Sequence, residues 1–453
     1  MKNKIKYIFF FLVFPLLLNC SFDKKTGIWS GAENEEKRAI ELEQEQQATK
    51  KRERIKIYST KQRFAEEIIS DTVVNLTPPK KNISWTMPGL NPQNSSGHIY
   101  LSGVQNKTLS KGRGRNKFWK TRNLSTPLVI DGNIIYSTDN GTIYNLNPYG
   151  KVNWKKNIYS KAYKRVAKNL TFTIYDELIY VADNIGFLYA LDLNDGSLVW
   201  AKNHGIPLRS KIKVFEDRIF LVNQDNRILC FDAKKGKLIW SIRAIKSFIK
   251  SQNYFSGLAI SKENDVVVLN SSGDLIKAKG SNGMVYWNLN TLGSLYAHDT
   301  DFFKSSDVVI DSNDIIFSTN SSIFSFNLSN GRINWKKDIV TRNTPIIDGT
   351  NVFVVADNGY FINLDRRSGK IIWSTDVLKV LKKRKRNTEI AGHVLASGKF
   401  YVATLNGYLI ICSATTGKVE GYRFTSSGIS TPPIISNGEL YILTEASRVF
   451  RYR

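Results

Sequence analysis

One pairing of residues recurs along most of this chain: a glycine followed four positions later by a tryptophan. It occurs six times, with 38 to 48 residues between successive tryptophans. The six pairs are Gly150/Trp154, Gly196/Trp200, Gly236/Trp240, Gly283/Trp287, Gly331/Trp335 and Gly369/Trp373. Self-similarity at a period of about 20 to 50 residues marks solenoids, propellers and related arrays. The chain is therefore built from copies of one structural unit.

Each copy has the pattern of four short strands. In the first, Thr126 to Trp154, runs of alternating apolar residues are separated by Asp131-Gly132 and Asn140-Gly141, which are strong hairpin turns. Four short antiparallel strands per copy are typical of a β-propeller blade. Blades bury the faces of their sheets by stacking around an axis, and we expect each indole to fill the space between neighbouring blades.

The ends of the repeat decide the number of blades. A seventh copy, Thr388 to Tyr422, keeps Gly417 but has Gly421 in place of the tryptophan, and a last copy, Thr431 to Arg453, supplies only three strands. We expect Lys117 to Lys120, which includes Trp119, to add the missing outer strand and close the ring. The prediction is an all-β, eight-bladed β-propeller of four-stranded antiparallel blades over residues 84–453, with seven blades as the alternative.

The N-terminal residues have the pattern of an export signal. Three lysines precede an apolar run, Ile8 to Leu18, that is too short to span a bilayer comfortably. Leu17-Leu18-Asn19-Cys20 resembles the cleavage site of bacterial lipoproteins, which predicts a signal peptide over residues 1–19 and lipidation of Cys20. Residues 20–83 are highly charged and are predicted to form a helix-prone or disordered tether, either a plain spacer or a partner-binding helix.

The net charge of +26 does not by itself indicate nucleic-acid binding, because the basic residues are spread along the chain. A solvated basic surface is the simpler interpretation, and no nucleic-acid partner is predicted. The dense exception follows Trp373: Lys382, Lys383, Arg384, Lys385 and Arg386. This run is either a solvated loop or a contact for anionic headgroups or an acidic partner.

No residue pattern predicts catalysis. The four histidines are scattered without metal-ligand spacing, and neither a nucleophile elbow nor a phosphate-binding loop occurs. Cys230 and Cys412 lie in similar strands of distant repeats, where small buried side chains are expected rather than a disulfide. Three aspartates, Asp192, Asp232 and Asp365, stand four residues before a repeat glycine and are explained as turn formers. We therefore predict no cofactor, no metal and no enzymatic activity.

The repeats resemble those of the pyrroloquinoline-quinone-type eight-bladed propellers. Within that superfamily, the chain is similar to the lipoprotein family of the outer-membrane β-barrel assembly machinery, the BAM complex. The similarity rests on the lipoprotein-like start, the length of one propeller without an added domain, and the stretch Trp85-Thr-Met-Pro-Gly-Leu-Asn-Pro92 followed by Gly97-His98. It covers residues 83–453.

The resemblance implies a set of partners and a contact turn. Members of the family are taken to bind the barrel-insertion subunit through a Leu-Arg-Gly turn between blades, to which Leu208-Arg209-Ser210 is similar, with Ile206 beside it. A plain connection between blades is the alternative for this turn. The family's following turn is acidic, whereas residues 247–255 here contain no Asp or Glu.

The function implied is a non-enzymatic scaffold, lipid-anchored on the periplasmic face of the outer membrane, that aids insertion of β-barrel proteins. Its partners would be the barrel-insertion subunit and unfolded outer-membrane proteins. A periplasmic quinone-dependent dehydrogenase is the alternative, although the adjacent cysteine pair usual in those enzymes is missing. Binding of envelope polysaccharide is a third possibility that no residue pattern favours.

Overall fold

A computed structural model describes residues 20–22, 29–31, 64–70, 72–117, 126–244, 256–291, 303–383 and 386–453. The chain divides into two compact units, Met1–Gln62 and Arg63–Arg453. In the first unit, β1 (Cys20–Phe22) pairs antiparallel with β2 (Trp29–Gly31), with Cys20 opposite Gly31. Among the described residues, no helix has the length and apolar character needed to cross a membrane.

The second unit is a ring of eight four-stranded antiparallel sheets, as the repeats predicted. Blades 1 to 4 are β4–β7 (Leu128–Ile130, Asn133–Ser137, Thr142–Leu146, Val152–Asn157), β8–β11 (Leu170–Tyr175, Leu178–Asp183, Phe187–Asp192, Leu198–Asn203), β12–β15 (Lys213–Phe215, Arg218–Val222, Ile228–Asp232, Leu238–Ile242) and β16–β19 (Gly257–Ile260, Asp265–Leu269, Asp274–Lys279, Val285–Asn290). Blades 5 to 7 are β20–β23 (Val309–Asp311, Asp314–Ser318, Ile323–Asn327, Ile333–Lys337), β24–β27 (Ile346–Asp348, Asn351–Val355, Tyr360–Asp365, Ile371–Asp376) and β28–β31 (Ile390–Ala396, Lys399–Thr404, Tyr408–Ser413, Val419–Phe424). Blade 8 combines β32 (Ile434–Ser436), β33 (Glu439–Leu443) and β34 (Arg448–Tyr452) with β3 (Lys107–Gly112).

Within each blade, burial falls from the first strand to the fourth. In blade 3 the first three strands are almost wholly buried, whereas β15 alternates between exposed and half-buried residues. The first strand of each blade therefore faces the ring axis and the fourth lies at the rim. Clusters of buried Val, Ile, Leu and Phe lie between adjacent sheets, so the core is distributed around the ring rather than concentrated at one centre.

The ring is closed by β3, which pairs antiparallel with β34 near the C-terminus. This corrects the expectation that Lys117 to Lys120 supplies the outer strand. The pairing joins Lys107 to Tyr452 and Gly112 to Arg448, ten residues earlier than predicted. Outer strands are mostly exposed and need only one inward side chain, here Leu109, so their sequences carry little apolar signal. Trp119 lies outside the described residues.

Residues 82–102, the axial segment, run around the inside of the ring before β3 begins. Its first residues, Asn82 and Ile83, contact blade 8, and from Trp85 onward it contacts the first strand, or the turn after it, of blades 1 to 8 in order. The hydrogen-bond partners are Val129 for Trp85, Ile174 for Thr86, Lys213 for Pro88 and Asn91, Ile260 for Pro92, Ile310 for Gln93, Leu395 and Ser397 for Ile99, and Gly438 for Ser102. At blade 6 a Cβ on Gly97 would lie 3.9 Å from the Ile347 carbonyl oxygen. These contacts lie toward the end of the ring that carries the turn between the first and second strands of each blade.

The boundary of the propeller unit lies at residue 62/63 rather than at the predicted 83/84. Residues 64–70 and 72–77, expected in the tether, run along blade 6. The Ile68 amide donates to the Ser374 carbonyl over 3.1 Å, and the Ser374 amide donates back over 3.0 Å. The Thr77 amide then donates to the Asp348 carboxylate over 2.9 Å. Val74 packs into the apolar cluster of blades 6 and 7, which explains why these residues belong to the propeller.

The repeat tryptophans lie in the seams between blades. Each of the six indoles contacts the repeat glycine of the following blade, and a Cβ on Gly196 would lie only 2.6 Å from the Trp154 ring. Four of the six indole N–H groups also donate to a carbonyl three residues before that glycine, as Trp335 does to Arg366 over 2.8 Å. In each blade the glycine thus receives the indole of the preceding blade, and the tryptophan packs on the glycine of the following blade.

All six indoles lie in the seams between blades, as expected, but they are not buried equally. Three are buried, namely Trp154, Trp335 and Trp373, whereas Trp200, Trp240 and Trp287 are only half-buried. The three half-buried indoles belong to the outer strands of blades 2 to 4. One face of each indole packs on the glycine turn of the next blade, and neighbouring residues such as Leu198 are exposed.

Two of the buried indoles have additional cover from the N-terminal part of the propeller unit. Phe64 packs against the cluster that holds Trp335, and Val74 belongs to the cluster that holds Trp373. The tryptophan repeat thus marks the position of each seam, while the depth of burial depends on what else crosses the rim.

Candidate partner-contact site

The connections between blades and the turns between second and third strands lie together at one end of the ring, which we call the crossover end. Hydrogen bonds join the two kinds of loop: the His204 amide donates to the Gly186 carbonyl over 2.8 Å, and the Val377 amide to the Gly359 carbonyl over 3.1 Å. Both predicted contact regions, Ile206–Ser210 and Lys382–Arg386, lie in connections between blades. The fold therefore places both at the crossover end.

The Ile206–Ser210 turn is fixed by its backbone. The Leu208 amide donates to the Asp183 carbonyl over 3.1 Å, and the Arg209 amide donates to the Val222 carbonyl over 2.7 Å. Ser210, which stands where the family turn has glycine, is buried and accepts a hydrogen bond from the Val222 amide over 2.9 Å. The turn is thus held against two neighbouring hairpins.

Glycine is required where this turn crosses blade 2. Gly186 has φ +114°, and a Cβ there would lie 2.9 Å from the backbone nitrogen and oxygen of Ile206. Any side chain at this position would push the turn outward, so Gly186 sets how closely Ile206 approaches the ring.

The side chains of this turn are not all available to a partner. Leu208 is 3% exposed and Arg209 is 6% exposed, and the Arg209 guanidinium donates to Gln224 Oε1 over 3.1 Å. Burial lowers the pKa of Arg209 from its usual value. Only Ile206 and Pro207 remain partly exposed. Arg209 is therefore not a surface charge, and a partner would first meet the apolar tip of the turn.

The basic run at Lys382–Arg386 follows a 3-10 turn, Val377–Val380, whose first residues are capped by Asp376. Lys382, Lys383 and Arg386 are exposed. Arg386 is not free, since its guanidinium donates to the carbonyls of Leu381 and Lys379 over 3.0 and 2.9 Å. Arg384 and Lys385 lie outside the described residues.

A second group of basic residues at the crossover end was not singled out from the sequence. Lys161, Lys164 and Arg165 are exposed in the connection between blades 1 and 2, next to the 3-10 turn Lys161–Tyr163. The sequence signal was three cations within five residues, in the same structural position as Lys382–Arg386. Charge density within connections between blades would have identified both groups.

The groups near the axis are paired within the protein. The ammonium of Lys213, which is wholly buried, donates to the carbonyls of Pro88 and Asn91 over 2.5 and 2.8 Å. Burial lowers the pKa of Lys213 to about 7. Asp307 accepts from Lys211 over 2.5 Å and from the Thr344 hydroxyl over 3.0 Å. Burial opposes ionisation of Asp307, but these partners outweigh it and hold its pKa below the usual value.

These residues do not fit a calcium-held quinone. Calcium takes six to eight oxygen ligands, whereas Asp307 is already shared between an ammonium and a hydroxyl. Across the described part of the chain, no group of three His, Cys, Asp or Glu is arranged to hold a metal ion.

The sequence model of the family described as outer membrane protein assembly factor BamB matches residues 139–375, more than half of the chain. The chain belongs to the BamB family. BamB of Shewanella oneidensis is 23% identical over 278 residues, which cover 58% of this chain and 66% of that protein, just under two thirds of its length.

Solved structures show the same fold. BamB from Moraxella catarrhalis superposes with a TM-score of 0.60 at 13% identity, covering 78% of this chain and 98% of that one. Quinohemoprotein alcohol dehydrogenase from Comamonas testosteroni superposes with a TM-score of 0.63, also at 13% identity, covering 82% of this chain and 80% of that one. The likeness in structure is shared by BamB and quinoproteins, so it establishes the propeller and leaves function to the sequence family and the site.

Proposed function

We propose that this protein is a non-enzymatic scaffold subunit of the BAM complex that aids insertion of β-barrel proteins into the outer membrane. The observation that carries the proposal is the BamB family match over blades 1 to 6. The axial residues are in keeping with it, because Lys213 and Asp307 are already bonded to groups of the protein itself. The quinoprotein alternative has in its favour the shared fold and a shorter sequence match, which covers 28% of this chain and 20% of a quinoprotein ethanol dehydrogenase.

The crossover end supplies the contact surface in this proposal. Ile206 and Pro207 form an apolar tip on a turn fixed by backbone hydrogen bonds, which suits insertion into an apolar pocket of the barrel-insertion subunit. Leu208 and Arg209 act by holding that tip in place rather than by touching the partner. Unfolded outer-membrane proteins would be the substrates of the assembled complex.

In this proposal the crossover end also faces the membrane to which the protein is anchored. Residue 64, where the described part of the propeller unit begins, accepts a hydrogen bond at the crossover end: Asn358 Nδ2 donates to the Phe64 carbonyl over 2.7 Å. Exposed Lys382, Lys383 and Arg386 lie at that end too. We assign these cations to anionic lipid headgroups, with the protein held on the periplasmic face of the outer membrane by a lipid on Cys20.

Affinity purification of the full-length protein from mildly solubilised membranes tests the assignment. Recovery of the barrel-insertion subunit is expected, and its absence would remove the proposal. Ile206→Asp should abolish recovery, because a carboxylate at the tip cannot enter an apolar pocket without a large desolvation cost. Ile333→Asp is the matched control, since Ile333 is a 52% exposed apolar residue on the outer strand of blade 5. Equal loss in both variants would show that a carboxylate introduced at any apolar surface position reduces recovery, and would remove Ile206 from the contact.

A further inference from the structure

Seven of the eight seams are occupied by a side chain from the outer strand of one blade. Six hold the repeat tryptophans, which meet the glycine turn of the next blade. In the seam from blade 8 to blade 1, Leu109 and Lys111 of β3 take this role, and a Cβ on Gly150 would lie 2.5 Å from the Lys111 stem. The remaining seam, between blades 7 and 8, differs from these.

Two departures from the repeat meet in that seam. Gly421 stands opposite Ile411 at the register that tryptophan occupies in the other blades, as Trp335 does opposite Ser325. Blade 8 also lacks the glycine turn, because its third and fourth strands come from opposite ends of the chain. Neither the indole nor its usual contact surface is therefore present, and a Cβ added to Gly421 would meet no atom within 4 Å.

The result is a half-open cleft of about 340 Å³. Leu101, Val104, Tyr401 and Ile411 line it with apolar surface, and Gly421 opens it toward the rim. A volume near 300 Å³ is at the small end of ligand pockets, which suits one aromatic residue rather than a longer segment. The six seams that hold tryptophan show that a planar aromatic group packs well between adjacent blades of this ring.

Of the charged side chains that line the cleft, two are paired with each other and one has no carboxylate partner among the described residues. Lys399 and Glu420 form an ion pair with each other at 2.7 Å. Arg423 also lines the cleft, and in the described part of the chain it has no carboxylate partner, while its Nε is buried without a hydrogen bond. Gly421 and Arg423 are two residues apart on the same face of β31, so they stand about 7 Å apart along the strand.

We propose that this cleft binds the C-terminal aromatic residue of a polypeptide. The ring takes the place of the missing indole beside Gly421, and the α-carboxylate pairs with the Arg423 guanidinium. A single terminal residue supplies both groups at the required separation, whereas an aromatic residue inside a chain carries no carboxylate of its own. This site does not depend on membership of the BAM complex, and it lies in the seam rather than at the crossover end.

Binding of N-acetyl-5-fluorotryptophan to the full-length protein, followed by fluorine NMR, tests the proposal. Saturable binding is expected, about tenfold tighter than for the corresponding amide, because a charge-assisted hydrogen bond is lost in the amide. Gly421→Trp should abolish binding of both probes by filling the cleft, and should raise the melting temperature by completing the seam. Arg423→Gln should keep binding but remove the preference for the acid.

Tyr422→Trp is the matched control, since Tyr422 is a neighbouring residue of the same strand that is 47% exposed and does not line the cleft. It should leave both affinities unchanged. No saturable binding to the wild-type protein, or equal binding to the Gly421→Trp variant, would overturn the site. Equal affinity for acid and amide, or tighter binding of a peptide with an internal Trp-Gly-Glu sequence, would overturn its assignment to a chain terminus.

Discussion

The buried amine of Lys213 makes the stability of this propeller depend on pH in a defined direction. Burial lowers its pKa to about 7 in the folded protein, against 10.5 for the free side chain. Between these values the unfolded chain binds one more proton than the folded chain, so raising the pH stabilises the fold. The destabilising contribution is fully present below about pH 7 and is relieved as the pH rises toward 10.5.

The size of the effect follows from the two pKa values. Proton linkage gives a gain in unfolding free energy of about 2 kcal/mol between about pH 6 and pH 8.5. Lys213→Met should remove this gain, because methionine has a similar length and no titratable group. The variant also loses, at every pH, the hydrogen bonds that Lys213 donates to the carbonyls of Pro88 and Asn91. The change with pH, rather than the stability at any single pH, is therefore the informative quantity.

Urea unfolding followed by tryptophan fluorescence, for both proteins at several pH values in that range, measures the difference. Groups that do not interact with Lys213 contribute equally to the two proteins and cancel, which leaves Lys213 and its charged neighbours Lys211 and Asp307. A wild-type protein that gains no stability relative to Lys213→Met as the pH rises would refute the lowered pKa of Lys213. A gain of the same size in both proteins would place the titration elsewhere.

Four further outcomes are expected. Trp335→Ala should lower the unfolding free energy by about 3 to 5 kcal/mol in urea titrations, because the indole is 7% exposed and fills a seam, and Trp240→Ala should cost less because its indole is half-buried. Burial lowers the pKa of His393 to about 4, so stability should fall by about 2 kcal/mol from pH 7 to pH 5, and His393→Gln should remove most of that fall. Gly186→Ala should cost about 1 to 3 kcal/mol and reduce recovery of the barrel-insertion subunit, since its Cβ displaces the backbone of Ile206. Replacing all five basic residues at 382–386 with Gln should weaken binding to anionic vesicles in a salt-dependent way, and an unchanged salt response in vesicle sedimentation would argue for a solvated loop.

The spacing of glycine and tryptophan predicted the blades because both residues act through local geometry. The glycine permits a positive φ, such as +71° at Gly196, and the tryptophan packs in a seam beside it. How deeply each indole is buried was not predictable, because the cover over Trp335 and Trp373 comes from residues about 270 to 300 positions earlier in the chain.

The closing strand escaped prediction because its pairing depends on the backbone. Lys107–Gly112 lies at the exposed rim, and Leu109 is its only buried residue. Nothing in the composition of this strand therefore distinguishes it from a loop.

The candidate site was located but not resolved by the sequence. The position of Ile206–Ser210 between two blades was sufficient to place it at a loop-bearing end of the ring. The burial of Arg209 depends on Gln224 and on a hairpin from the next blade, which no local pattern encodes. The cleft beside Gly421 was visible only as a missing tryptophan, because its walls come from residues more than 300 positions apart.

The axial segment has a consequence for how many blades the ring can hold. It contacts the blades one after another, in the order in which they follow along the chain, although it belongs to none of them. The number of blades is thus matched to the length of the axial segment, a separate stretch of about twenty residues that has to reach every blade. Gain or loss of a repeat during evolution would leave this stretch too short or too long, so a change in ring size requires two coordinated changes in the gene.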